Sequence, residues 1–234
     1  MSGVHFLLTN DDGIDAPGLA ALERCVRRIP GARVSVIAPV REHSMCGHRL
    51  TTHSPLRVER RGEDRWAVDG TPADCVRLAL FALGLKPGWV LSGVNAGGNL
   101  GQDIHVSGTC AAAREAAYHQ VPSAAFSHYL IRDLAVDWDR TADWTHEVLH
   151  NLAGAPLDDG EFWCVNFPHL PPGDRPLPGL RNCHPARSPL PVRFRPMEDG
   201  SHHYDARYAD RPRDPGSDVD VCFGGETSVV RLRV

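Results

Sequence analysis

Three short stretches carry polar residues of the kinds and at the density that chemistry needs. The first is Asn10-Asp11-Asp12-Gly13, directly after the apolar run Phe6-Leu7-Leu8-Thr9. Adjacent carboxylates at one strand end repel each other unless a cation or a proton intervenes. With oxygen donors around them they suit a hard divalent cation such as Mg²⁺ or Mn²⁺. Asn, Asp and Gly are also the commonest turn formers, so this motif alone leaves a plain turn open. The second stretch, residues 40–52, contains Ser44, Gly47 and His48 and says little by itself. The third is Ser92-Gly93-Val94-Asn95-Ala96-Gly97-Gly98-Asn99-Leu100-Gly101, which leads into Ser107-Gly108-Thr109. Its glycines let backbone N–H groups approach an anion closely, and a helix start at Ser107 would favour phosphate. A flexible linker is the competing reading. The spacing fits neither a P-loop nor a dinucleotide fingerprint. Taken together, the parts point to a divalent metal beside a phosphate pocket, and hence to phosphoester hydrolysis. With no nucleophile elbow and no Ser-His-Asp order, direct attack by water is expected over a covalent intermediate.

The elements that must hold these stretches can be read from periodicity. Phe6–Thr9 and Val34–Ala38 read as buried strands, with helical spacing of Leu19, Leu22, Val26 and Ile29 between them. That is a βαβ unit with a parallel sheet. Leu56–Arg60 and Trp66–Val68 read as short strands. Thr71-Pro72-Ala73-Asp74 is a helix start, with Thr as cap, Pro in the first turn and an acid three after the cap. The spacing predicts a strand at 89–92, a helix over 110–119, a strand at 123–127, a helix over 142–152 and a strand at 162–166. The alternation gives a doubly wound α/β sheet over residues 1–170, whose ligands belong beyond the carboxyl ends of the strands. In residues 171–234 prolines cluster and helical periodicity disappears; short strands are expected near 192–195 and 227–234. His202-His203 reads as solvated surface.

Composition narrows the function classes. The chain has 234 residues, 42% hydrophobic and 23% charged, which excludes wholesale disorder. Its longest uninterrupted apolar stretch, Leu78–Leu85, is far short of the ~20 residues of a bilayer span. The formal net charge is -4 with no long basic run, so neither a nucleic-acid groove nor an anionic membrane is favoured. The start Met1-Ser2-Gly3-Val4-His5 does not read as a signal peptide. Seven cysteines, an odd number without C-x-x-C spacing, argue against a disulfide framework or structural zinc and for a cytoplasmic location.

The segment from Leu7 to Gly18, Ala38-Pro39 with Ser44 and Gly47-His48, Gly70-Thr71-Pro72-Ala73-Asp74, and the Ser92–Gly101 loop with Ser107-Gly108-Thr109 together resemble the SurE family, the stationary-phase survival nucleotidases. The match is close over about residues 5–127. The resemblance implies an α/β, Rossmann-like three-layer sandwich with an extended C-terminal β-hairpin region. Residues 1–170 would form the catalytic domain and 171–234 an irregular β-rich extension used in oligomerisation. It implies a divalent-metal-dependent phosphatase of nucleoside 5′-monophosphates, and of 3′-monophosphates in some members. One Mg²⁺ or Mn²⁺ per subunit would be held by Asp11, Asp12, Ser44 and Asn95, with Asp11 and Asp12 catalytic. Phosphate would be held by Asn99, Ser107, Gly108 and Thr109. The expected partners are a small phosphoester and a second copy of the chain, with a tetramer as the larger alternative. Met45 after Ser44, and Arg49 after the Gly-His pair, depart from the family pattern and bear on substrate choice. Another small phosphoester, or a non-catalytic nucleotide sensor, is the alternative reading.

Overall fold

The computed structural model describes residues 3–173 and 176–234. Strand β1 (His5–Thr9) alternates Phe6 and Leu8 toward one core with Leu7 toward another, and all three are fully buried. Both faces of this strand are therefore covered, as a parallel sheet between two helical layers requires. The chain continues through α1 (Pro17–Arg27), β2 (Arg33–Pro39), β3 (Val58–Gly62), β4 (Arg65–Val68) and α2 (Pro72–Arg77). Next come β5 (Trp89–Ala96), α3 (Asp103–Val106), α4 (Gly108–Tyr118), β6 (Ser123–His128), α5 (Trp138–Ala153) and β7 (Glu161–Phe167). Last are β8 (Leu180–Cys183), β9 (Phe194–Pro196), β10 (His202–Tyr204), α6 (Asp218–Phe223) and β11 (Thr227–Arg233).

Among the described residues, nine strands form one sheet in the order β3-β4-β2-β1-β5-β6-β7-β11-β8. The run from β4 to β7 is parallel; β3 and β11 join it antiparallel, and β8 lies parallel to β11. Helices α1 and α5 cover one face through Leu19, Leu22, Val26, Val148 and Leu149. On the other, α2 and α4 pack Cys75, Val76, Ala112 and Ala116 on Leu7, Ile37 and Val90. The small alanines of α4 let it lie close to the sheet. This is the three-layer α/β arrangement expected from the sequence.

The order reverses direction at β1: β2 lies on one side and β5 on the other. A crevice opens there beyond the strand ends, where open α/β sheets bind ligands.

Several boundaries differ from the sequence reading. Strand β5 runs on to Ala96, so the first residues of the glycine loop are still in the sheet. Beyond residue 170 the chain is more regular than expected. β8 and β11 extend the main sheet, with Val229 paired to Val165 and Asn182. Helix α6, capped by Ser217, lies where no helix was expected, because six residues are too few to reveal a 3.6-residue period. The strand expected near 192–195 is β9, which pairs only with β10 as a separate ribbon. His202 and His203 are exposed as expected, but sit in β10 and not in a loop.

Candidate functional site

In the turn after β1, Asn10 Nδ2 donates to the Gly13 carbonyl at 2.8 Å, and the Gly13 N–H donates back to Asn10 Oδ1 at 3.3 Å. The motif thus divides its labour. Asn10 and Gly13 build the turn, while Asp11 and Asp12 project beyond the strand end.

Asp11 points at the start of α4. The Thr109 hydroxyl donates to Asp11 Oδ1 at 2.5 Å, and Gly108 packs against the same side chain. A Cβ on Gly108 would lie 2.8 Å from the Asp11 Cβ, so only glycine permits this approach. Asp12 turns to β5, accepting from the Ala96 N–H at 3.1 Å. The His43 N–H donates to the Asp11 carbonyl at 2.8 Å, tying the loop after β2 to the loop after β1.

Asp11, Asp12, Ser44, Asn95, Asn99 and Ser107 line one cavity of about 450 Å³. Three loops separated by tens of residues therefore converge, as the sequence reading required. Asn95 Nδ2 donates to the Gly97 carbonyl at 2.8 Å, which leaves its Oδ1 for a ligand. Asn99 is locked by its neighbours. Its N–H donates to Asn166 Oδ1, its carbonyl accepts from Asn166 Nδ2, and one Nδ2 hydrogen goes to Ser127 Oγ at 2.7 Å. The second Nδ2 hydrogen remains to be given. Ser107 caps α4, its Oγ accepting from the Cys110 N–H at 3.0 Å, so its own proton is free to point outward.

Gly108 and Thr109 do not line the cavity. Thr109 is fully buried and its hydroxyl is spent on Asp11. Their side of the site positions a carboxylate. Met45 lines the cavity and is 84% exposed, whereas Arg49 does not line it, and its carbonyl is held by the Thr71 hydroxyl.

Among the described residues, the lining contains four carboxylates, Asp11, Asp12, Glu42 and Asp103, and no Arg, Lys or His. Burial pushes the Asp11 carboxyl up to about 6, against the lowering effect of the Thr109 hydrogen bond, and the charge of Asp12 adds to the rise. Burial also raises Asp12, opposed by the Ala96 N–H and assisted by Glu42. Charge of one sign held in a cleft asks for a counter-ion. Among the described residues no three His, Cys, Asp or Glu side chains converge at metal-ligating distance. The donor set is two carboxylates with a hydroxyl and an amide oxygen, all hard oxygens. That chemistry fits Mg²⁺ or Mn²⁺ and not a thiophilic ion.

The far wall was not legible in the sequence. Leu190, Pro191, Tyr204, Ala206 and Tyr208 close the cavity about 100 residues after the glycine loop. The Tyr208 hydroxyl donates to Asp103 at 2.6 Å, and Arg211 pairs with the same carboxylate at 2.7 Å. Asp103 is thereby neutralised, while Asp11 and Asp12 are not. No local pattern marks these aromatics. Glu42 did carry a signal, two residues before Ser44 in the same loop.

Residues 6–188 match the family model described as Survival protein SurE. The chain belongs to the SurE family. A Nostoc sp. relative, provisionally named a 5′-nucleotidase, is 47% identical over 97% of this chain and 99% of its own length. The 5′-nucleotidase SurE 1 of Burkholderia lata is 39% identical over 94% of this chain and 86% of its own. The crystal structure of the SurE protein from Aquifex aeolicus superposes with a TM-score of 0.85 at 31% identity, covering 98% of this chain and 93% of that one. The SurE fold thus extends through the C-terminal strands and not only through the parallel core.

Proposed function

We propose that the protein is a divalent-metal-dependent phosphatase that hydrolyses nucleoside 5′-monophosphates to nucleoside and inorganic phosphate. One observation carries this reading. The cavity is acidic at one end, with no cationic side chain among the described residues to receive a phosphate, and aromatic and apolar at the other, where Tyr204, Tyr208, Leu190 and Pro191 would accommodate a base and sugar. A phosphate can enter the acidic end only with a cation, and the apolar end distinguishes a nucleotide from a bare sugar phosphate. The names of the family relatives support the same reaction.

In this reading Asp11, Asp12, Ser44 and Asn95 hold one Mg²⁺ or Mn²⁺. The cation supplies positive charge and Lewis acidity to the phosphoryl oxygens. Asn99, through its free Nδ2 hydrogen, and Ser107, through its hydroxyl, orient those oxygens beside the N-terminus of α4. Thr109 and Gly108 fix the Asp11 carboxylate from behind. The aromatic wall limits water to the attacking face. Water adds to phosphorus in line with the departing nucleoside oxygen, the bond from phosphorus to that oxygen breaks, and the proton that the attacking water gives up passes to it. The protein works as a cytoplasmic homodimer whose C-terminal region, residues 171–234, contributes to assembly.

The test is inorganic phosphate release from 5′-AMP with Mn²⁺ or Mg²⁺, and again with EDTA. Metal-dependent release abolished by EDTA is the expected result. Release unaffected by EDTA, or faster from sugar phosphates than from AMP, would overturn the assignment of metal or of substrate respectively.

A further inference from the structure

The proposed function leaves two cavity carboxylates without a task, Glu42 and Asp103, and Asp103 is already engaged by Tyr208 and Arg211. Glu42 follows β2 and lines the cavity beside Asp12 and Ser44. It also borders the adjoining cleft formed by Asp12, Gly13 and Ala96. The Ser44 hydroxyl donates to Glu42 Oε1 at 2.5 Å. The other three cation donors already have their spare groups tied back into the chain. Asn95 gives its Nδ2 to Gly97, Asp12 accepts from Ala96, and Asp11 accepts from Thr109.

A serine differs from these donors in carrying a proton on the ligating oxygen itself. A hydroxyl coordinates a cation through a lone pair, and its proton must then point elsewhere. Left to rotate, it would turn the proton toward the cation for part of the time. Glu42 accepts that proton in a hydrogen bond, and an ionised carboxylate is the strongest side-chain acceptor for it. We infer that Glu42 is a positioning residue, which holds the Ser44 hydroxyl with its lone pairs toward the divalent cation. This rests on the proposed metal site and assigns the adjacent acid a role there. Groups that orient a metal ligand from behind commonly change metal affinity by about 10- to 100-fold when removed.

The experiment is a double-mutant cycle on Mn²⁺ affinity, read from the electron paramagnetic resonance signal of free Mn²⁺ with no substrate present. Glu42→Ala and Ser44→Ala should each weaken binding by about tenfold. Glu42→Gln, which keeps an acceptor but loses the charge, should weaken it less. In the Ser44→Ala background, Glu42→Ala should add less than about twofold, because the group it orients is gone. Equal weakening in both backgrounds would overturn the inference and make Glu42 a ligand or a through-space charge. Unchanged Mn²⁺ affinity in Glu42→Ala would overturn it as well. Failure of the wild-type protein to bind Mn²⁺ would instead remove the metal site on which it rests. Unfolding temperatures of all variants in EDTA separate a local effect from loss of fold.

Discussion

Asp11 and Asp12 are neighbours in sequence but sit in different surroundings, and this difference would let both serve the proposed metal site. Asp11 is 5% exposed and hydrogen-bonded to Thr109, whereas Asp12 is less buried and held by a backbone N–H of β5. Asp12→Asn keeps the shape and removes one of the two charges that would face the proposed cation. The expected outcome is a loss of phosphate release of at least about 100-fold, since an aligned cation provides several kcal/mol of transition-state stabilisation. Far-ultraviolet circular dichroism and the unfolding temperature in EDTA should be unchanged. Near-wild-type turnover in this variant would exclude the site. His128 gives a second prediction away from the chemistry. It is fully buried among Trp138, Trp144 and His169, its Nδ1 lies 2.9 Å from the Tyr129 carbonyl, and its Nε2 has no hydrogen-bond partner among the described residues. Burial pushes its pKa down from 6.5 to about 4, assisted by the charges of His169 and Arg140. The unfolded chain therefore takes up this proton near pH 6.5 and the folded protein only near pH 4. Stability falls as pH drops through that window, by an amount on the order of 3 kcal/mol for this residue. Urea titrations at pH 7 and pH 4.5 should show a smaller pH-dependent loss for His128→Phe than for wild type.

The elements that position the site were legible where the signal was local. The βαβ start, the capping box of Thr71 and Asp74, and the Ser107 cap are each contained within a few residues, and each is present. The capping box does more than was readable, because Asp74 also accepts from the N–H and hydroxyl of Thr51 and so anchors the loop after β2. What could not be read is pairing over distance. β11 finds β7 across some sixty residues, and nothing within Thr227–Arg233 states which strand it joins. The Tyr204 and Tyr208 wall is hidden for the same reason. Close approach between elements is likewise silent in sequence. Gly18, in the first turn of α1, lies against β5 so tightly that an added Cβ would sit 1.8 Å from the Val94 carbonyl oxygen. Gly18→Ala must lift α1 from the sheet, at a cost of about 3 kcal/mol. Because Val94 precedes Asn95, phosphatase activity should fall with stability. Gly154→Ala, at the end of α5 with φ -84° and its nearest neighbour 3.6 Å from the added carbon, should change stability by less than about 0.5 kcal/mol. Guanidinium unfolding of the two variants checks the contrast.

At the scale of the whole molecule, the ribbon of β9 and β10 stands apart from the main sheet. Its ladder is two three-residue strands, extended at either end by the Asp205 N–H to the Arg193 carbonyl and the Met197 N–H to the Ser201 carbonyl, and a lone two-stranded ribbon is marginal in water. Yet Val192, Phe194, Met197 and Tyr204 are 72%, 56%, 40% and 46% exposed on or beside it. Large apolar side chains gathered on an arm that lacks a core of its own mark a surface meant for covering. A second copy of the chain is the cover that the proposed homodimer would supply. The arm also reaches the chemistry, because Tyr204 is both part of β10 and part of the cavity wall, and its hydroxyl donates to the Pro191 carbonyl at 2.6 Å. Assembly and substrate binding should therefore be coupled through it. Replacing residues 194–204 by a short Gly-Ser linker should shift the protein from dimer to monomer in light scattering after size exclusion. The same variant should raise KM for 5′-AMP by about tenfold, the loss of one aromatic contact worth ~1.4 kcal/mol, while leaving Mn²⁺ affinity unchanged. A wild-type protein that remains monomeric at micromolar concentration would refute the dimer. A dimeric deletion variant would move the interface to another face, and the KM effect would then belong to the wall alone.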